Sequence, residues 1–355
     1  MAKLKTVVDE LTTEGYLPAE KRGELAGLLA GEAVGTTWYI QAAVGISAWI
    51  AALFIIGFII TGIILTESAL AYSVTGLIFI AAAVGIKYLF RRSNFAGQLS
   101  LAISLAGQGL FVAGIYLGAE SLLSTCLITL LMEATLFLLY PGRLHRFISA
   151  LIALGAILTL LYGEWEIYEA THGLVILLLS LALLIWSEDS YFVTQGLRSF
   201  SRPLGYAATL TLFGLLLPSV IYQINYVKHW WISTLGLLVV GLLFFLYLRF
   251  GRNALILSPT LMAAMAGGAI ILSLLTWQTP GILASLILLI VGFWRGRRLV
   301  WGLAVAFLVF FIGAFYYHLA LDLYEKSLIL MGSGALLFLA RTFFLRQFRP
   351  VQEAV

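Results

Sequence analysis

The sequence predicts an all-α protein: a polytopic membrane helical bundle of about twelve transmembrane helices in six hairpins, both termini cytoplasmic, with a short N-terminal helical segment. Three observations predict it. Mean hydropathy is +1.03, and 62% of residues are hydrophobic against 11% charged, outside the range of soluble globular domains. Apolar runs of about 18 or more residues recur along the chain, each long enough to cross a bilayer as a helix. The basic residues also fall on one side of the implied fold. Of the 21 Lys and Arg, all but Lys228 and Lys326 lie in the tails or after even-numbered spans, as the positive-inside rule requires of cytoplasmic segments.

Residues 1–37 form a charged tail. Its stretch "KLKTVVDELTTEGYLPAEKRGELAGLLAG" reads as two short amphipathic helices broken at "EGYLP", suited to a protein contact or an interfacial helix. It is too short for a catalytic domain. Residues 38–346 form the transmembrane domain, with spans expected at 41–65, 69–89, 96–117, 120–140, 144–163, 168–187, 203–224, 231–248, 254–276, 280–295, 299–321 and 326–345. Residues 347–355 form a cytoplasmic tail. The opposite loops carry Glu67, Glu120, Glu164, Glu166, Glu169, Asp322 and Glu325. A cleavable signal peptide is not expected, because the first apolar run begins only near residue 38 and exceeds an h-region in length.

Local details follow the same pattern. Trp38, Trp165, Trp186, Trp230, Trp231, Trp277, Trp294 and Trp301 are expected at span ends as an aromatic belt, with Trp49 as the exception. Pro203, Pro259 and Pro280 are expected to open helices, where a missing N–H costs nothing. Pro218 lies within the seventh span and is expected to kink it. Basic turns recur with a period of about 50 residues. The longest connection on the basic side, roughly 188–202, divides the spans six and six, as in parallel-repeat transporters.

Composition also excludes function classes. The pI near 9.1 comes from scattered topological charges, so nucleic acid is not an expected partner. The single cysteine, Cys126, lies in an apolar run, which rules out an internal disulfide or a thiolate cluster. Phosphate-binding glycine loops, G-x-S-x-G, H-E-x-x-H and CxxC are all absent. No enzymatic activity, metal or cofactor is therefore expected.

Two groups of residues stand out as candidate sites. Glu133 lies within the fourth span, about 10 Å from its basic end. An acid there must find a partner or stay protonated. Thr125, Thr129 and Glu133 recur every four residues, and so do Ser100, Ser104 and Gln108 on the preceding helix. The two stripes are expected to form an intramembrane polar seam, either as hydrogen-bonded glue or around a proton- or cation-coupled carboxylate. The second group is an outer-face polar cluster. His318 and Asp322 are four apart beside Tyr316 and Tyr317, while Asp322 and Glu325 have the spacing of a helix N-cap and its third residue. Glu169 and His172 have Glu-x-x-His spacing, which occurs in metal sites and also in solvated acidic loops. Small-residue faces at Ala263 with Gly267, Ala264 with Gly268, and Gly114 with Gly118 are expected to pack closely.

The closing stretch "FYYHLALDLYEKSLILMGSGALLFLAR" and the opening one "WYIQAAVGISAWIAALFIIGF" resemble the two ends of the bacterial domain-of-unknown-function family 4401. Tyr316, Tyr317, Lys326 and Ser327 are the matching positions of the closing signature. The resemblance implies a multi-pass bacterial inner-membrane protein without an established activity. It also implies the company of related membrane proteins of family 2157 and of a small protein named for a GDYxxLxY motif.

These expectations leave a non-enzymatic subunit of a membrane assembly as the leading reading, in contact with the lipid bilayer. A secondary transporter resting on Glu133 is the alternative. A membrane enzyme acting through the Glu169 and His172 loop is the third and weakest.

Overall fold

The structure is a computed structural model that describes residues 38–64, 68–90, 93–221, 226–250 and 259–318, with Tyr324, Ser327, Met331, Phe338 and Thr342 singly. Every regular element among the described residues is a helix. In chain order these are α1 (Trp38–Ile64), α2 (Ala69–Leu89), α3 (Asn94–Ala119), α4 (Leu122–Leu139), α5 (Arg143–Thr159), α6 (Ala170–Ser187), the short α7 (Asp189–Thr194), α8 (Arg198–Leu216), α9 (Trp231–Phe250), α10 (Pro259–Leu275), α11 (Pro280–Trp294) and α12 (Arg298–His318). The first eleven expected spans each overlap one of these helices, and among the described residues eight helical segments are long and apolar enough to cross a membrane. Apart from Ser327, Met331, Phe338 and Thr342, the twelfth span, 326–345, lies outside the described residues, as do the two tails.

The chain forms two compact units, Met1–Thr125 and Cys126–Val355. In the first unit, serines start the helices. Ser68 accepts from the Ala71 amide at 3.3 Å and Ser93 from the Ala96 amide at 3.2 Å, each satisfying an N–H that the first turn leaves unpaired. Glycines then let α2 and α3 pack backbone to backbone. A Cβ on Gly76 would lie 2.5 Å from the Phe111 amide nitrogen, and one on Gly114 would lie 2.8 Å from the Ala69 carbonyl oxygen. Lipid tails are as apolar as leucine, so close van der Waals approach of this kind holds membrane helices together. The expected small face at Gly114 is thus in use. A Cβ on Gly267 or Gly268 would meet nothing within 4 Å among the described residues. Helix α1 packs on α3, where the Trp49 indole N–H donates to Gln98 at 3.3 Å.

In the second unit, α6 packs against α8 and α9, α5 against α8, and α11 against α12. The core gathers Trp186, Leu212, Phe213, Leu216, Leu288 and Phe311. Trp186 is fully buried, with its indole N–H donating to Thr209 at 3.2 Å and Gly205 packed beneath its ring. Trp230 is buried too. These two indoles therefore leave the expected belt: each has an interior contact, Thr209 for Trp186 and the edge of His172 for Trp230. Trp165 and Trp277 stay exposed near helix ends.

The prolines split. Pro259 and Pro280 open α10 and α11 as expected. Pro203 instead lies inside α8, which begins earlier, at Arg198. A proline there deprives the Ser199 carbonyl of its helical donor, and the Arg146 guanidinium fills the gap by donating to that oxygen at 3.1 Å. Pro218 produces no kink. The α-helix stops at Leu216, and the proline is the second residue of a 3-10 turn, Leu217–Ser219, where its missing N–H disturbs no ladder. Finally, 188–202 is no boundary between units, because the division falls inside α4.

Candidate functional site

Glu133 is fully buried in α4. Neither of its carboxyl oxygens closes a hydrogen bond among the described residues. Ser149 of α5 is buried and bonds the Nδ1 of His145 at 3.2 Å. The His145 ring lies flat on Tyr140, 3.8 Å between centroids and 13° between planes. Beside it, Arg146 binds the end of α4. Its Nε donates to the Phe137 carbonyl at 2.9 Å, and its guanidinium covers the Phe200 ring at 3.8 Å. A cation on the last carbonyls of a helix satisfies unpaired acceptors and opposes the negative end of the dipole.

The rest of the expected seam divides between the two units. In the first unit, Ser100, Ser104 and Gln108 are all buried on one face of α3. Ser100 donates to the Ala83 carbonyl at 2.8 Å, and Gln108 donates to Ser104 at 3.3 Å. Thr125, the last residue of that unit, donates to the Ser121 carbonyl at 2.8 Å. Thr129, in the second unit with Glu133, is buried.

At the other end of α5 and α6, Glu169 and His172 do come together. The His172 Nε2 lies 2.8 Å from Glu169 and 2.9 Å from the Lys228 carbonyl. Both are acceptors, so Nε2 carries a proton, and the Ser233 hydroxyl lies 2.7 Å from Nδ1. Glu169 also accepts from the Lys228 amide at 3.1 Å. The imidazole is buried while Glu169 is half exposed. The cluster clamps the start of α6 to the segment leading into α9. No group of three or more His, Cys, Asp or Glu suited to a metal ion occurs among the described residues.

A second clamp, not anticipated from the sequence, centres on Asp189 of α7. Arg202 of α8 donates to both carboxylate oxygens, at 3.0 and 3.1 Å, and Arg297 from the α11–α12 turn donates to the second one. Arg295 donates to the Ser187 carbonyl, and Tyr247 of α9 donates to Glu188. Burial pushes the Asp189 carboxyl up, but the Arg202 hydrogen bonds and the charges of Arg297, Arg202 and Arg198 outweigh it. The carboxyl is held below the usual range. The signal was present in the sequence: Glu188 and Asp189 are the only acids in any basic-side connection between spans.

Of the cluster around His318, the structure places Tyr316 and Tyr317 at the end of α12, their rings edge-on at 6.2 Å. Asp322 and Glu325 lie outside the described residues, as does the His318 side chain.

A protein-family model described as Domain of unknown function (DUF4401) matches residues 37–347. No curated protein and no solved structure matches the chain.

Proposed function

We propose, for a chain that belongs to the family described as domain of unknown function (DUF4401), a role as a non-enzymatic integral subunit of a membrane protein assembly. Its apolar helices embed it in a membrane. The family resemblance implies the bacterial inner membrane, and on the charge pattern the chain crosses it twelve times with both termini in the cytoplasm. The observation that carries the reading is how the polar groups are used. Asp189, Arg202, Arg297, Arg146, His172 and Glu169 all tie helix ends to one another. Cavities between helices of the second unit are lined chiefly by apolar side chains, such as Leu238, Leu242, Phe245 and Ile287. Such a protein is a rigid scaffold, and its partners are other membrane proteins, including those of the family 2157 and GDYxxLxY types. A photo-crosslinking residue at Phe54 or Leu275, both exposed on helices, tests this in the native host. Adducts with one other membrane protein are expected, and adducts with lipid alone at both positions would count against the reading.

A second reading is favoured by one specific observation: neither carboxyl oxygen of the buried Glu133 has a hydrogen-bond partner among the described residues. Glue should have partners, whereas a carboxyl that exchanges a proton or cation need not keep one. In this reading the chain is a secondary transporter. Glu133→Gln preserves hydrogen bonding and removes titration. Full complementation of a deletion by that variant would exclude the transport reading, and loss of complementation would favour it.

A further inference from the structure

We propose that the chain holds one anionic phospholipid, with an acyl chain in a groove between α6 and α9 and its phosphate at the arginine cluster around Asp189. The inference needs only that the chain is embedded in a membrane, so it stands whichever of the two readings above holds.

The groove follows from how the two helices are tied. His172 bonds Ser233 between their first turns, and Tyr247 near the end of α9 donates to Glu188 just past the end of α6. The two helices therefore run side by side in the same direction. Near their starts the packing is tight, since a Cβ on Gly236 would lie 2.3 Å from the Ile176 side chain. Further along, a groove of about 330 Å³ opens between Ser180, Leu183 and Leu184 on α6 and Val240, Leu243 and Phe244 on α9. That size suits a ligand. Ser180 leaves the space unfilled, because its side chain is short and its hydroxyl is already used by the Ile176 carbonyl. Leu184 and Leu243 are exposed, so the groove opens sideways along two helices that are apolar enough to cross a membrane. An acyl chain is what the bilayer offers there.

The end of the groove sets it apart from ordinary lipid-facing surface. Ser187, Glu188 and Tyr247 line that end. Arg295 donates to the Ser187 carbonyl, and Arg202 and Arg297 donate to Asp189, the residue after Glu188. Arg198 and Arg298 are exposed and are the first residues of α8 and α12. Arg198 lies one turn before Arg202 on the same helix face, and Arg298 follows Arg297 directly. Five arginines thus gather with two acids, and both acids already accept hydrogen bonds. Donors remain in excess: Arg295 and Arg297 each keep a buried Nε–H with no acceptor among the described residues. Surplus guanidinium charge at the end of an apolar groove complements a phosphate carried on an acyl chain. A partner helix laid in the groove would bury that charge unpaired. A net-neutral headgroup would leave it uncompensated.

Native mass spectrometry tests the site. The full chain, freed of lipid in mild detergent, is titrated with dioleoyl phosphatidylglycerol. One copy should bind at least about tenfold more tightly than further copies, and than dioleoyl phosphatidylethanolamine. An arginine near a lipid surface contributes about fivefold, so Arg198→Gln combined with Arg298→Gln should weaken the site about thirtyfold. The bonds of Arg202 and Arg297 to Asp189 stay in place in that variant. Ser180→Leu fills the groove and should weaken the site at least about tenfold, the worth of about two buried methylenes. Equal affinity for the two lipids, or full-strength binding in either variant, would overturn the proposal. Should Ser180→Leu fail to fold, dihexanoyl phosphatidylglycerol on the wild type replaces it, and much weaker binding than the long-chain lipid is expected. Equal binding of the short lipid, or displacement of the long one by millimolar inorganic phosphate, would reveal an anion site without the groove and overturn the proposal. In the native host, a photo-crosslinking residue at Leu243 should capture phospholipid. Capture of another protein there would equally overturn it.

Discussion

Replacing Asp189 with asparagine removes the charge at the centre of the clamp while keeping its shape. Three hydrogen bonds from two arginines converge on the carboxylate, and a charge-assisted bond contributes about 1.5–3 kcal/mol when well buried. Here the side chains of Asp189, Arg202 and Arg297 are 10%, 19% and 24% exposed, so solvent screens part of that. Asparagine also still offers one acceptor. The net cost should be about 2–3 kcal/mol, below the 3–5 quoted for breaking a fully buried pair. At roughly 2–4 °C per kcal/mol for a chain of a few hundred residues, Tm should fall by about 5–10 °C.

The assay uses what the chain provides. Cys126 is its single thiol, and it is buried, so a thiol-reactive fluorophore reports unfolding directly. The pH dependence is fixed by sign. Asp189 titrates below its ordinary value of 3.8 when folded, so its stabilisation is fully present above the normal carboxylate range. That stabilisation is lost as pH falls through the lowered value. The gap between wild type and Asp189→Asn should therefore be level between about pH 5 and 8 and close below about pH 4. It should also shrink with added salt. A gap under about 1 °C at neutral pH, or one that widens on acidification, would refute the reasoning.

Other substitutions test other parts of the structure. Gly107→Leu forces a side chain into α2, where even a Cβ would lie 2.8 Å from the Gly76 carbonyl oxygen. It should cost about 1–3 kcal/mol or more in the same thermal assay, whereas Gly267→Ala, with open space around it, should stay within about 0.5 kcal/mol. His172→Ala leaves the Lys228 carbonyl and Ser233 without their imidazole partner. A loss of about 1–3 kcal/mol is expected, with faster tryptic cleavage at Lys228. Arg146→Lys cannot fork between the Phe137 and Ser199 carbonyls while stacking on Phe200. It should destabilise by about 1–2 kcal/mol, and by less in a Pro203→Ala background that restores the helical donor to Ser199. A double-mutant cycle reads that coupling.

The helices were legible because bilayer thickness writes itself into the sequence as long apolar runs, and eleven of those runs overlap helices. The burial of Glu133 was legible for a related reason, since an acid at that depth has nowhere else to go. The Asp189 clamp was hidden because its arginines come from connections about 100 residues apart in sequence, and charge sorting reads them only as topology. Ser149 and His145 were missed because each alone looks ordinary, a helix serine and a histidine in a basic turn. Only their shared hydrogen bond sets them apart. Pro203 misled because an opening proline and a compensated internal one look alike until the Arg146 donor is seen. Trp186 misled because a span end can face a neighbouring helix as readily as the interface.

The proposed role makes this chain one part of a larger membrane assembly. The most direct test is its affinity purification from the native host in mild detergent, with the mass of the intact particle determined. A stoichiometric complex with at least one different membrane protein is expected. A lone monomer, or an assembly of this chain only, would contradict it.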